Sequence, residues 1–426
     1  MKKIAYETVG CRLNQYETEK IAAQMAALGF GRVAFDETAD LYIINTCTVT
    51  GRADATCRNI ISRAARRDGH GPIVALGCYV DSCPQKVNGL TGVDLVIGNK
   101  NKENTVSILR NHYPALFEGA SGSEPVNHIN EFYEHNRAWL KIGDGCNQRC
   151  AYCIIPLVRG PLTSRPPGQL VDEINALAAG GYNEVVLTGV HIGRYSSESV
   201  RSPADLVRYL LNRTDISRIR LSSIEPPEVD EPLIAAIAEG GPRVCRHLHI
   251  PLQSGSDRIL RAMHRPYKSA DYLDLVARLR QVIPEVIVGA DIIVGFPGET
   301  DDDFERSVAV ARSDYIDYLH VFSYSDRPGT EASEIPEKIN PEIIKERNRI
   351  LRQVSGQHYA RALKRSVGQT ASVISEHRSN KKGAYWGISD NYLKVLLPPG
   401  IGGGREIIPM QLTEATDRYL IGQPLP

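Results

Sequence analysis

Three cysteines within eight residues carry the strongest chemical signal in the sequence. Cys146, Cys150 and Cys153 stand in the run C-N-Q-R-C-A-Y-C, a C-x3-C-x2-C spacing. Thiolates at this spacing can hold three irons of a [4Fe–4S] cluster and leave the fourth iron without a protein ligand. A ferredoxin that only transfers electrons supplies four thiolates, whereas an open iron can bind a small molecule. The spacing therefore predicts a cluster that does chemistry on a bound molecule.

A structural zinc site is the main alternative for this run. Structural zinc normally takes four protein ligands, and no fourth Cys or His lies within ten residues of the run. A disulfide framework is also disfavoured, because the chain has nine cysteines, an odd number, and shows no sign of export. Thiolate ligation of a metal is the better interpretation.

A second group of cysteines follows strands of a predicted amino-terminal sheet. Short apolar runs alternate with helical patterns there, which predicts a small parallel α/β sheet. The predicted strands are residues 4–9, 41–46, 73–77 and 94–98. Cys11, Cys47 and Cys78 each follow one of them within three residues. The carboxyl ends of parallel strands share an edge, so one edge could hold all three thiols.

The other cysteines have less informative surroundings. Cys83 competes with Cys78, since either could come near the end of the third predicted strand. Cys57 lies on a helical pattern over residues 53–67, and Cys245 stands alone. Both are interpreted as small packing residues.

The middle of the chain predicts about six β/α units in series. The predicted strands are residues 138–142, 184–188, 218–222, 248–252, 286–294 and 318–322, with helical patterns in the gaps. This series predicts a partial (β/α)6 barrel, whose sites lie on the loops after the strands. A polar segment, residues 119–130, is the predicted linker in front of it.

The last part of the chain changes character after a charged helix predicted over residues 341–364. From Val367 onward, short alternating strands are broken by glycines, which predicts a small antiparallel β-barrel. Because this barrel is read as an appended domain, its removal is expected to leave the cluster chemistry intact.

Composition and charge exclude several classes of protein. The chain is 42% hydrophobic and 23% charged, as ordinary globular proteins are. Fifty basic and fifty acidic residues cancel, so any polyanionic partner must contact a local patch. No signal-peptide pattern is present, and the longest apolar stretch, residues 286–296, is too short to span a bilayer. A cytoplasmic protein is expected.

Two basic segments could provide such a patch. Arg58, Arg63, Arg66 and Arg67 share one predicted helix. The segment from His358 to Lys382 contains six basic residues and one acidic residue, Glu376, and is followed by two aromatics, Tyr385 and Trp386. The basic residues are Arg361, Lys364, Arg365, Arg378, Lys381 and Lys382. Basic groups beside aromatics suit phosphate contact and base stacking. A solvated helix face and an ordinary barrel surface also explain them.

The cysteine motifs and several other motifs resemble those of the radical S-adenosylmethionine methylthiotransferases over nearly the whole chain. The main match is C-N-Q-R-C-A-Y-C-I-I-P-L-V-R-G-P-L-T-S-R, residues 146–165. The other matching words are V-G-C-R-L-N-Q-Y-E-T-E (9–19), I-N-T-C-T-V-T (44–50), G-C-Y (77–79), L-S-S-I-E-P (221–226), H-I-P-L-Q-S-G-S (249–256) and G-F-P-G-E-T (295–300).

This resemblance implies three domains and two clusters. The domains are an amino-terminal methylthiotransferase domain (1–118), a TIM-like radical barrel (132–365) and a TRAM domain (366–426), a small β-barrel that contacts RNA. Cys146, Cys150 and Cys153 would hold the cluster that binds S-adenosylmethionine for radical chemistry. Cys11, Cys47 and Cys78 would hold a second [4Fe–4S] cluster that delivers sulfur; Cys78 is preferred to Cys83 because it stands in G-C-Y.

The resemblance also implies contacts to S-adenosylmethionine. They are Tyr152, Thr188, Gly189, Ser223, Glu225, Gln253 and Asp291. Ribose hydroxyls and an amino group pair well with carboxylates and amides, and glycine admits a close backbone. Each polar residue alone could equally be a strand-end cap or a turn residue. No catalytic residue beyond the cluster ligands is assigned.

One branch of the family is favoured by the words T-G-V-H-I-G-R-Y (188–195), G-C-R-L-N-Q-Y-E and L-S-S-I-E-P. They resemble enzymes that methylthiolate carbon 2 of N6-threonylcarbamoyladenosine at tRNA position 37. Sister branches act on isopentenyladenosine in tRNA or on a ribosomal-protein aspartate. The implied partners are tRNA, an electron donor such as a flavodoxin or ferredoxin, and a sulfur source. A non-catalytic iron–sulfur protein that binds RNA or senses redox state is the alternative from a different class.

Overall fold

The computed structural model describes residues 1–120, 129–379 and 383–425. Residues 121–128 of the predicted linker, and Lys381 and Lys382 of the second basic segment, lie outside the described residues. The chain forms two compact units. The amino-terminal unit comprises Met1–Glu131, Asp144–Leu162 and Ser325–Ser333; the barrel unit comprises Phe132–Gly143, Thr163–Tyr324 and Glu334–Pro426.

The amino-terminal unit is built on a parallel five-stranded sheet of order β2-β1-β3-β4-β5. Its strands are β1 Lys3–Thr8, β2 Gly31–Val33, β3 Leu41–Thr46, β4 Ile73–Gly77 and β5 Leu95–Ile97. Every residue of β3 and β4 is buried, as in central strands covered on both faces. The predicted parallel sheet is confirmed, with β2 as an additional edge strand.

The helices described in this unit are α1 Arg12–Ala27, α2 Gly51–Ala65, α3 Cys78–Ser82, α4 Pro84–Asn88, α5 Thr105–His112 and α6 Ile155–Arg159, with 3-10 turns at Asn99–Asn104 and Pro114–Leu116. Three of these helices, α1, α2 and α3, begin within five residues of the end of a strand. Helix α1 buries Ile21 and Met25 and is followed by Gly29, whose φ of 88° ends the helix. The Thr50 hydroxyl caps α2 by accepting a hydrogen bond from the Ala53 amide, at 3.2 Å.

Six parallel strands form the predicted partial barrel. They are β6 Ala138–Lys141, β9 Glu184–Thr188, β10 Arg218–Leu221, β11 His247–His249, β12 Ile287–Val294 and β13 Tyr318–Ser323; β7 Gly143–Asp144 and β8 Thr163–Ser164 are two-residue strands. The six form two three-stranded sheets, β6-β9-β10 and β11-β12-β13. Parallel bridges at Ile219–Val244 and Ser223–His249 connect β10 to the chain around β11. The barrel prediction is confirmed.

Helices cover the outside of these strands. They are α7 Pro167–Ala179, α8 Pro203–Leu211, α9 Glu231–Glu239, α10 Asp257–Ala262, α11 Ser269–Val282, α12 Asp301–Ala311 and α13 Pro341–Arg365, with 3-10 turns at Ile192–Arg194, Pro226–Glu228, Gly241–Arg243 and Glu331–Glu334. Helix α13 packs along β13, where the Ser355 hydroxyl bonds both the amide and the carbonyl of Leu319. No helix among the described residues is long and apolar enough to cross a membrane.

The carboxy-terminal strands close into a small barrel of order β14-β15-β16-β18-β17. They are β14 Thr370–Ser379, β15 Tyr385–Ser389, β16 Lys394–Leu396, β17 Ile407–Ala415 and β18 Leu420–Pro424. The pairs are antiparallel, as predicted, except that β16 and β18 run parallel. Its core includes Val373, Val395 and Met410, together with Ala362 and Leu363 from α13.

Buried arginines join this small barrel to the β/α strands. Arg218 donates to the Ser372 carbonyl at 2.7 Å, and Arg220 donates to the carbonyls of Ser389 and Asp390, both at 3.0 Å. Both guanidinium groups also pair with Glu184. Burial alone would raise the pKa of Glu184, but the two arginines outweigh it and hold that pKa far below its usual range. The carboxy-terminal strands therefore share a buried polar interface with the barrel.

Candidate functional site

The structure brings Cys11, Cys47 and Cys78 to one edge of the amino-terminal sheet. Cys11 is the residue before α1, Cys47 follows β3, and Cys78 begins α3. Burial is the main reason that the pKa of Cys47 is raised to about 12, and the charges of nearby Cys11 and Cys78 add to it. Their role as cluster ligands stays a prediction.

A glycine makes room for this group of thiols. A Cβ on Gly10 would lie 2.7 Å from the Cβ and 2.8 Å from the Sγ of Cys47, and the φ of Gly10 is 106°. Both the space and the backbone conformation therefore require glycine before Cys11. The sequence shows this residue in the word V-G-C-R, but not the thiol that it contacts.

The thiols have polar neighbours that suit sulfur carrying negative charge. The Asn99 side-chain amide donates to the Sγ of Cys78 at 3.5 Å and to the Val158 carbonyl at 2.8 Å. Burial alone would lower the pKa of Arg159, but the charges of Glu17, Cys78 and Asp144 outweigh it and raise that pKa well above its usual value. Arg159 is thus a permanent cation close to the cysteine group.

A buried network holds these neighbours in place. Arg159 donates to Glu17 at 2.9 Å and to the Asn14 side-chain oxygen at 2.6 Å. Lys102 donates to Glu17 at 2.7 Å and to the Asn45 side-chain oxygen at 3.2 Å. The Asn14 amide in turn binds backbone carbonyls before Cys11 and Cys47. The asparagines of the words C-R-L-N and I-N-T-C therefore position the loops that carry the thiols.

The second cysteine run lies in the same unit, on a loop closed by its own backbone. The Cys146 amide donates to the Gly160 carbonyl at 3.1 Å, and the Cys153 amide donates to the Cys150 carbonyl at 3.0 Å. Gly145 has a φ of 70°, and a Cβ there would lie 2.0 Å from the Pro161 carbonyl oxygen. Cys146, Cys150 and Cys153 are all partly exposed. Tyr152, a predicted cofactor contact, is part of this loop.

Both groups of cysteines fit iron–sulfur clusters better than single ions. Among the described residues, no group of three or more His, Cys, Asp or Glu could hold one metal ion. A [4Fe–4S] cluster instead takes each thiolate on a different iron, so its ligands need not converge on one point. Sulfur donors alone, with an arginine and an amide beside the amino-terminal group, match the chemistry of such a cluster.

In the barrel unit, two predicted cofactor contacts are joined by a histidine. The Ser223 hydroxyl lies 2.7 Å from Nδ1 of His249, and Nε2 of His249 lies 3.0 Å from Oδ1 of Asp291. Sequence reasoning did not single out His249, although the word H-I-P-L-Q-S-G-S contains it. Its position opposite Asp291 depends on the pairing of His249 with Gly289, which no local pattern reveals.

The other predicted contacts also lie at the ends of strands. Thr188 is the buried last residue of β9, and Gly189 follows it. Glu225 forms an ion pair with the buried Arg265. Gln253 has a φ of 70°, and its backbone amide donates a hydrogen bond to the Asp291 carbonyl at 2.7 Å. Left-handed backbone at a residue other than glycine is uncommon and often marks a functional site.

A group of hydrogen-bonded side chains that was not predicted from the sequence lies after β9. Nε2 of His191 and Nε of Arg194 both contact Oε1 of the buried Glu228, at 2.6 and 2.8 Å. A Cβ on Gly193 would lie 2.0 Å from Oε2 of Glu228, so this glycine leaves room for the carboxylate. The word T-G-V-H-I-G-R-Y contains three of these residues, but Glu228 comes from a separate loop.

Comparisons with known proteins agree with the fold. The Radical SAM superfamily matches residues 140–311, and the uncharacterized protein family UPF0004 matches residues 3–98. The radical S-adenosylmethionine methyltransferase TsrM from Kitasatospora setae, whose solved structure holds cobalamin and a [4Fe–4S] cluster, aligns with a TM-score of 0.57 at 16% identity. That alignment covers 78% of this chain and 77% of TsrM, and it supports the fold alone.

Curated relatives match nearly the whole chain. The threonylcarbamoyladenosine tRNA methylthiotransferase MtaB of Bacillus subtilis (strain 168) is 32% identical, covering 99% of this chain and 96% of the relative. The enzyme of the same name from Aquifex aeolicus is 35% identical, covering 92% and 96%. A tRNA-2-methylthio-N(6)-dimethylallyladenosine synthase of Pelotomaculum thermopropionicum is 31% identical, covering 99% and 97%.

These matches exclude the non-catalytic iron–sulfur protein considered from the sequence. Two relatives from one branch and one from a sister branch each exceed 30% identity over nine-tenths or more of this chain. The chain therefore belongs to the radical S-adenosylmethionine methylthiotransferases, enzymes that use S-adenosylmethionine and [4Fe–4S] clusters.

Proposed function

We propose that this chain methylthiolates carbon 2 of N6-threonylcarbamoyladenosine at position 37 of tRNA, giving 2-methylthio-N6-threonylcarbamoyladenosine. Both branches of relatives are named for tRNA substrates, which supports tRNA methylthiolation in general. The margin between them is small, 32–35% against 31% identity. The choice of adenosine therefore depends on residues that could distinguish the two modifications.

The described residues have a consistent division of labour under this proposal. Cys146, Cys150 and Cys153 would hold the cluster that binds S-adenosylmethionine, which supplies a carbon radical when reduced. Cys11, Cys47 and Cys78 would hold the cluster that presents sulfur. An electron donor such as a flavodoxin or ferredoxin, and a separate sulfur source, would complete the reaction.

In the barrel unit, the predicted cofactor contacts supply hydrogen-bond partners. Asp291 and Glu225 can accept hydrogen bonds from ribose hydroxyls or an ammonium group. His249 contacts Asp291 through Nε2 and Ser223 through Nδ1, and so holds both side chains in place. Thr188, Gly189 and Gln253 complete the proposed contacts of this unit, and Tyr152 of the amino-terminal unit is the remaining proposed contact.

The choice of substrate depends on the position and exposure of the Arg194 side chain. The threonylcarbamoyl group ends in a carboxylate, whereas the dimethylallyl group is a hydrocarbon. Arg194 lies on the turn after β9, at the end of the barrel strands where substrates bind. Its side chain is 61% exposed, while Glu228 fixes its Nε. An oriented guanidinium is the group best suited to bind a carboxylate.

Substrate preference tests this proposal directly. Reconstituted enzyme is incubated with tRNA bearing either threonylcarbamoyladenosine or dimethylallyladenosine, and the nucleosides are measured by mass spectrometry. We expect the methylthio group on threonylcarbamoyladenosine. Arg194→Gln should raise KM for this tRNA by roughly 10- to 100-fold, the value of a charge-assisted hydrogen bond of about 1.5–3 kcal/mol.

Arg213→Gln is the matched control. Arg213 stacks on the Tyr209 ring, 3.9 Å from its centroid, in the segment that follows α8. Its loss should leave KM unchanged. Modification of dimethylallyladenosine, or of a ribosomal-protein aspartate, in place of threonylcarbamoyladenosine would overturn the substrate and keep the family.

A further inference from the structure

A positively charged groove runs beside helix α13 at the mouth of the barrel. It has a volume of about 470 Å³, within the ~300–1,000 Å³ of sites that hold small ligands. It is lined by Ser323, Tyr324, Pro341, Ile344, Lys345, Asn348 and Arg352. Ser323 is the last residue of β13, so the groove opens at the carboxyl end of a barrel strand, the end that carries substrate sites.

The charge of the groove is positive and accessible. Lys345 and Arg352 are exposed, and the ammonium of Lys338 lies 5.4 Å from the centroid of the Tyr324 ring. Lys345 makes one contact, at 3.6 Å, with the equally exposed Glu342. Arg352 has no ion pair within the described part of the chain. Exposed pairs contribute about 0–1 kcal/mol, so an incoming anion can replace them easily.

The charges continue along one stripe of α13. Lys345, Arg349, Arg352 and Gly356 follow each other at intervals of four, three and four residues, and all are exposed. At 1.5 Å per residue the stripe is about 16 Å long. The opposite face of the helix is fixed, because Arg347 pairs with Glu299 and Asp301 and Leu351 is fully buried. The stripe therefore has a set position on the barrel.

Gly356 has no structural explanation within the described chain. It lies in the interior of the 25-residue helix α13. Glycine there costs about 1 kcal/mol relative to alanine. A Cβ at this position would meet no atom within 4 Å, and its φ is not positive. A glycine at this position would allow another molecule to approach the helix backbone closely.

We infer that this groove and stripe bind the sugar–phosphate backbone of the RNA substrate next to the modified nucleotide. The inference rests on the proposed function for the choice of RNA as the partner. Lys345 and Arg352 contact phosphates, and Gly356 admits the backbone. The stripe leads from the barrel mouth toward Leu363, which packs in the core of the carboxy-terminal barrel. The proposed RNA path therefore runs along the exposed stripe of α13 from the barrel mouth to Gly356.

Binding of a fluorescently labelled anticodon stem-loop RNA to the full-length protein, followed by anisotropy at several salt concentrations, tests this path. The double change Lys345→Gln and Arg352→Gln should weaken binding about tenfold or more. The log–log salt slope should become shallower by about 1.4, since each contact with a single strand contributes about 0.7. Arg306→Gln is the control, because Arg306 is an exposed, paired arginine on α12.

Gly356→Ala separates binding from folding. The change should raise the thermal midpoint, because alanine favours the helix, and yet weaken RNA binding about fivefold or more. Gly168→Ala is the control, since Gly168 lies in α7 with nothing near its missing Cβ. It should leave binding unchanged. The inference is overturned if both Gly356→Ala and the double variant keep wild-type RNA affinity. It is also overturned if these variants lose affinity for polyglutamate and not for RNA.

RNA with and without the threonylcarbamoyl group distinguishes this inference from the proposed function. Backbone contacts should weaken equally for both RNAs in the variants. If wild-type protein fails to prefer the modified RNA while the variants still lose affinity, the proposed substrate is wrong and the groove stands. If wild-type protein prefers the modified RNA and the variants bind it normally, the groove is wrong and the substrate stands.

Discussion

Arg159 is a buried cation whose charge interacts with Cys78 of the amino-terminal group of thiols. Its guanidinium is buried and donates to Glu17, Asp144 and Asn14 at 2.6–3.2 Å. A thiolate-ligated cluster is negatively charged, and a buried positive charge beside it lowers the cost of holding that charge away from water. The same residue follows the second cysteine run in the chain, and its partner Asp144 lies just before that run.

Arg159→Gln should weaken the amino-terminal cluster, because it removes the cation and takes one positive partner away from the carboxylates of Glu17 and Asp144. We expect iron to fall from about eight to about four per chain after reconstitution and desalting, with Arg159→Lys in between. Iron and acid-labile sulfide analysis gives the numbers. Arg32→Gln, which breaks the partly exposed pair with Glu19 in the same unit, should keep the iron of the wild type. Equal iron in Arg159→Gln and wild type would contradict the role of this charge.

Cys78 and Cys83 are five residues apart, and the structure favours Cys78. Asn99 contacts Cys78, and the charge of Cys78 acts on Cys47, whereas Cys83 packs beside the apolar core formed by Tyr79 and its neighbours. Cys78→Ser should therefore lose about half of the bound iron, and Cys83→Ser should lose none. Iron content of the two variants, measured side by side, decides the ligand. The reverse result would move the ligand along the chain.

The spacing of Cys146, Cys150 and Cys153 and the motifs around Cys11, Cys47 and Cys78 carry a signal in the sequence, but neither reveals the partners of the thiols. Arg159 is 142 residues from Glu17 and 145 from Asn14. A single arginine or histidine has no period and no neighbour in sequence that marks its role. His249 and Glu228 were missed for the same reason, although both lie in or near recognised words.

At the scale of elements, burial decided which strands were predictable. Strands β3 and β4 are buried at every residue and appear as apolar runs in the sequence. Strand β2 has three partly buried residues, G-R-V, which is too short and too mixed for a period to appear. The parallel pairing of β16 with β18 was also unpredictable, because closure of a barrel joins strands that are not neighbours in sequence.

Helix α12 depends on the carboxylate of Asp303, which completes a capping box with Thr300. It accepts hydrogen bonds from the Thr300 amide at 2.9 Å and the Ser256 hydroxyl at 2.6 Å, and pairs with Arg258. Burial alone would raise the pKa of Asp303, but the hydrogen bonds from Arg258, Ser256 and Thr300 outweigh it and lower that pKa well below its usual range. The ionised form is thus favoured in the folded protein.

The contribution of Asp303 to stability should therefore depend on pH. A pKa lower in the folded than in the unfolded chain, where it is about 3.9, stabilises the fold fully above about pH 5. This contribution is lost as the pH falls toward the folded-state pKa. Asp303→Asn should lower the free energy of unfolding by about 1–3 kcal/mol at pH 7 and by less at pH 3.5.

Thermal unfolding of the two proteins across this pH range measures the difference. Asp302→Asn is the control, since Asp302 is 75% exposed and pairs with Arg306 alone on the surface. It should change stability by less than about 0.5 kcal/mol. A constant difference between wild type and Asp303→Asn at all pH values would contradict the assignment.

At the scale of the whole molecule, the buried arginines change the expectation for the carboxy-terminal barrel. The sequence suggested an appended domain whose removal leaves the cluster chemistry intact. In the structure, Arg218 and Arg220 are fully buried and donate to carbonyls of residues 372, 388, 389 and 390. Removal of residues 366–426 would take these carbonyl acceptors from both arginines, leave them with Glu184, and expose Ala362 and Leu363.

We therefore expect truncation after Arg365 to destabilise the barrel unit, and Arg220→Ala in the full chain to cost about 3–5 kcal/mol, as the loss of one partner from a buried pair does. Thermal unfolding of the full-length variant gives this value without the risk that a truncated chain fails to fold. Arg278→Ala, an exposed arginine paired with Glu231, should be nearly neutral. A truncated chain as stable as the wild type would show that the small barrel is an independent appendage.

The amino-terminal unit is assembled from three separate stretches of chain, and this has a consequence for biosynthesis. Residues 325–333 belong to it: Arg327 pairs with Asp54, and the Ala332 amide donates to the Ala151 carbonyl. The ribosome adds about 200 residues between Glu131 and Ser333. At ~5–20 residues per second that takes roughly 10–40 s. During that time Cys11, Cys47 and Cys78 belong to an incomplete unit, so cluster loading should follow the synthesis of residues 325–333.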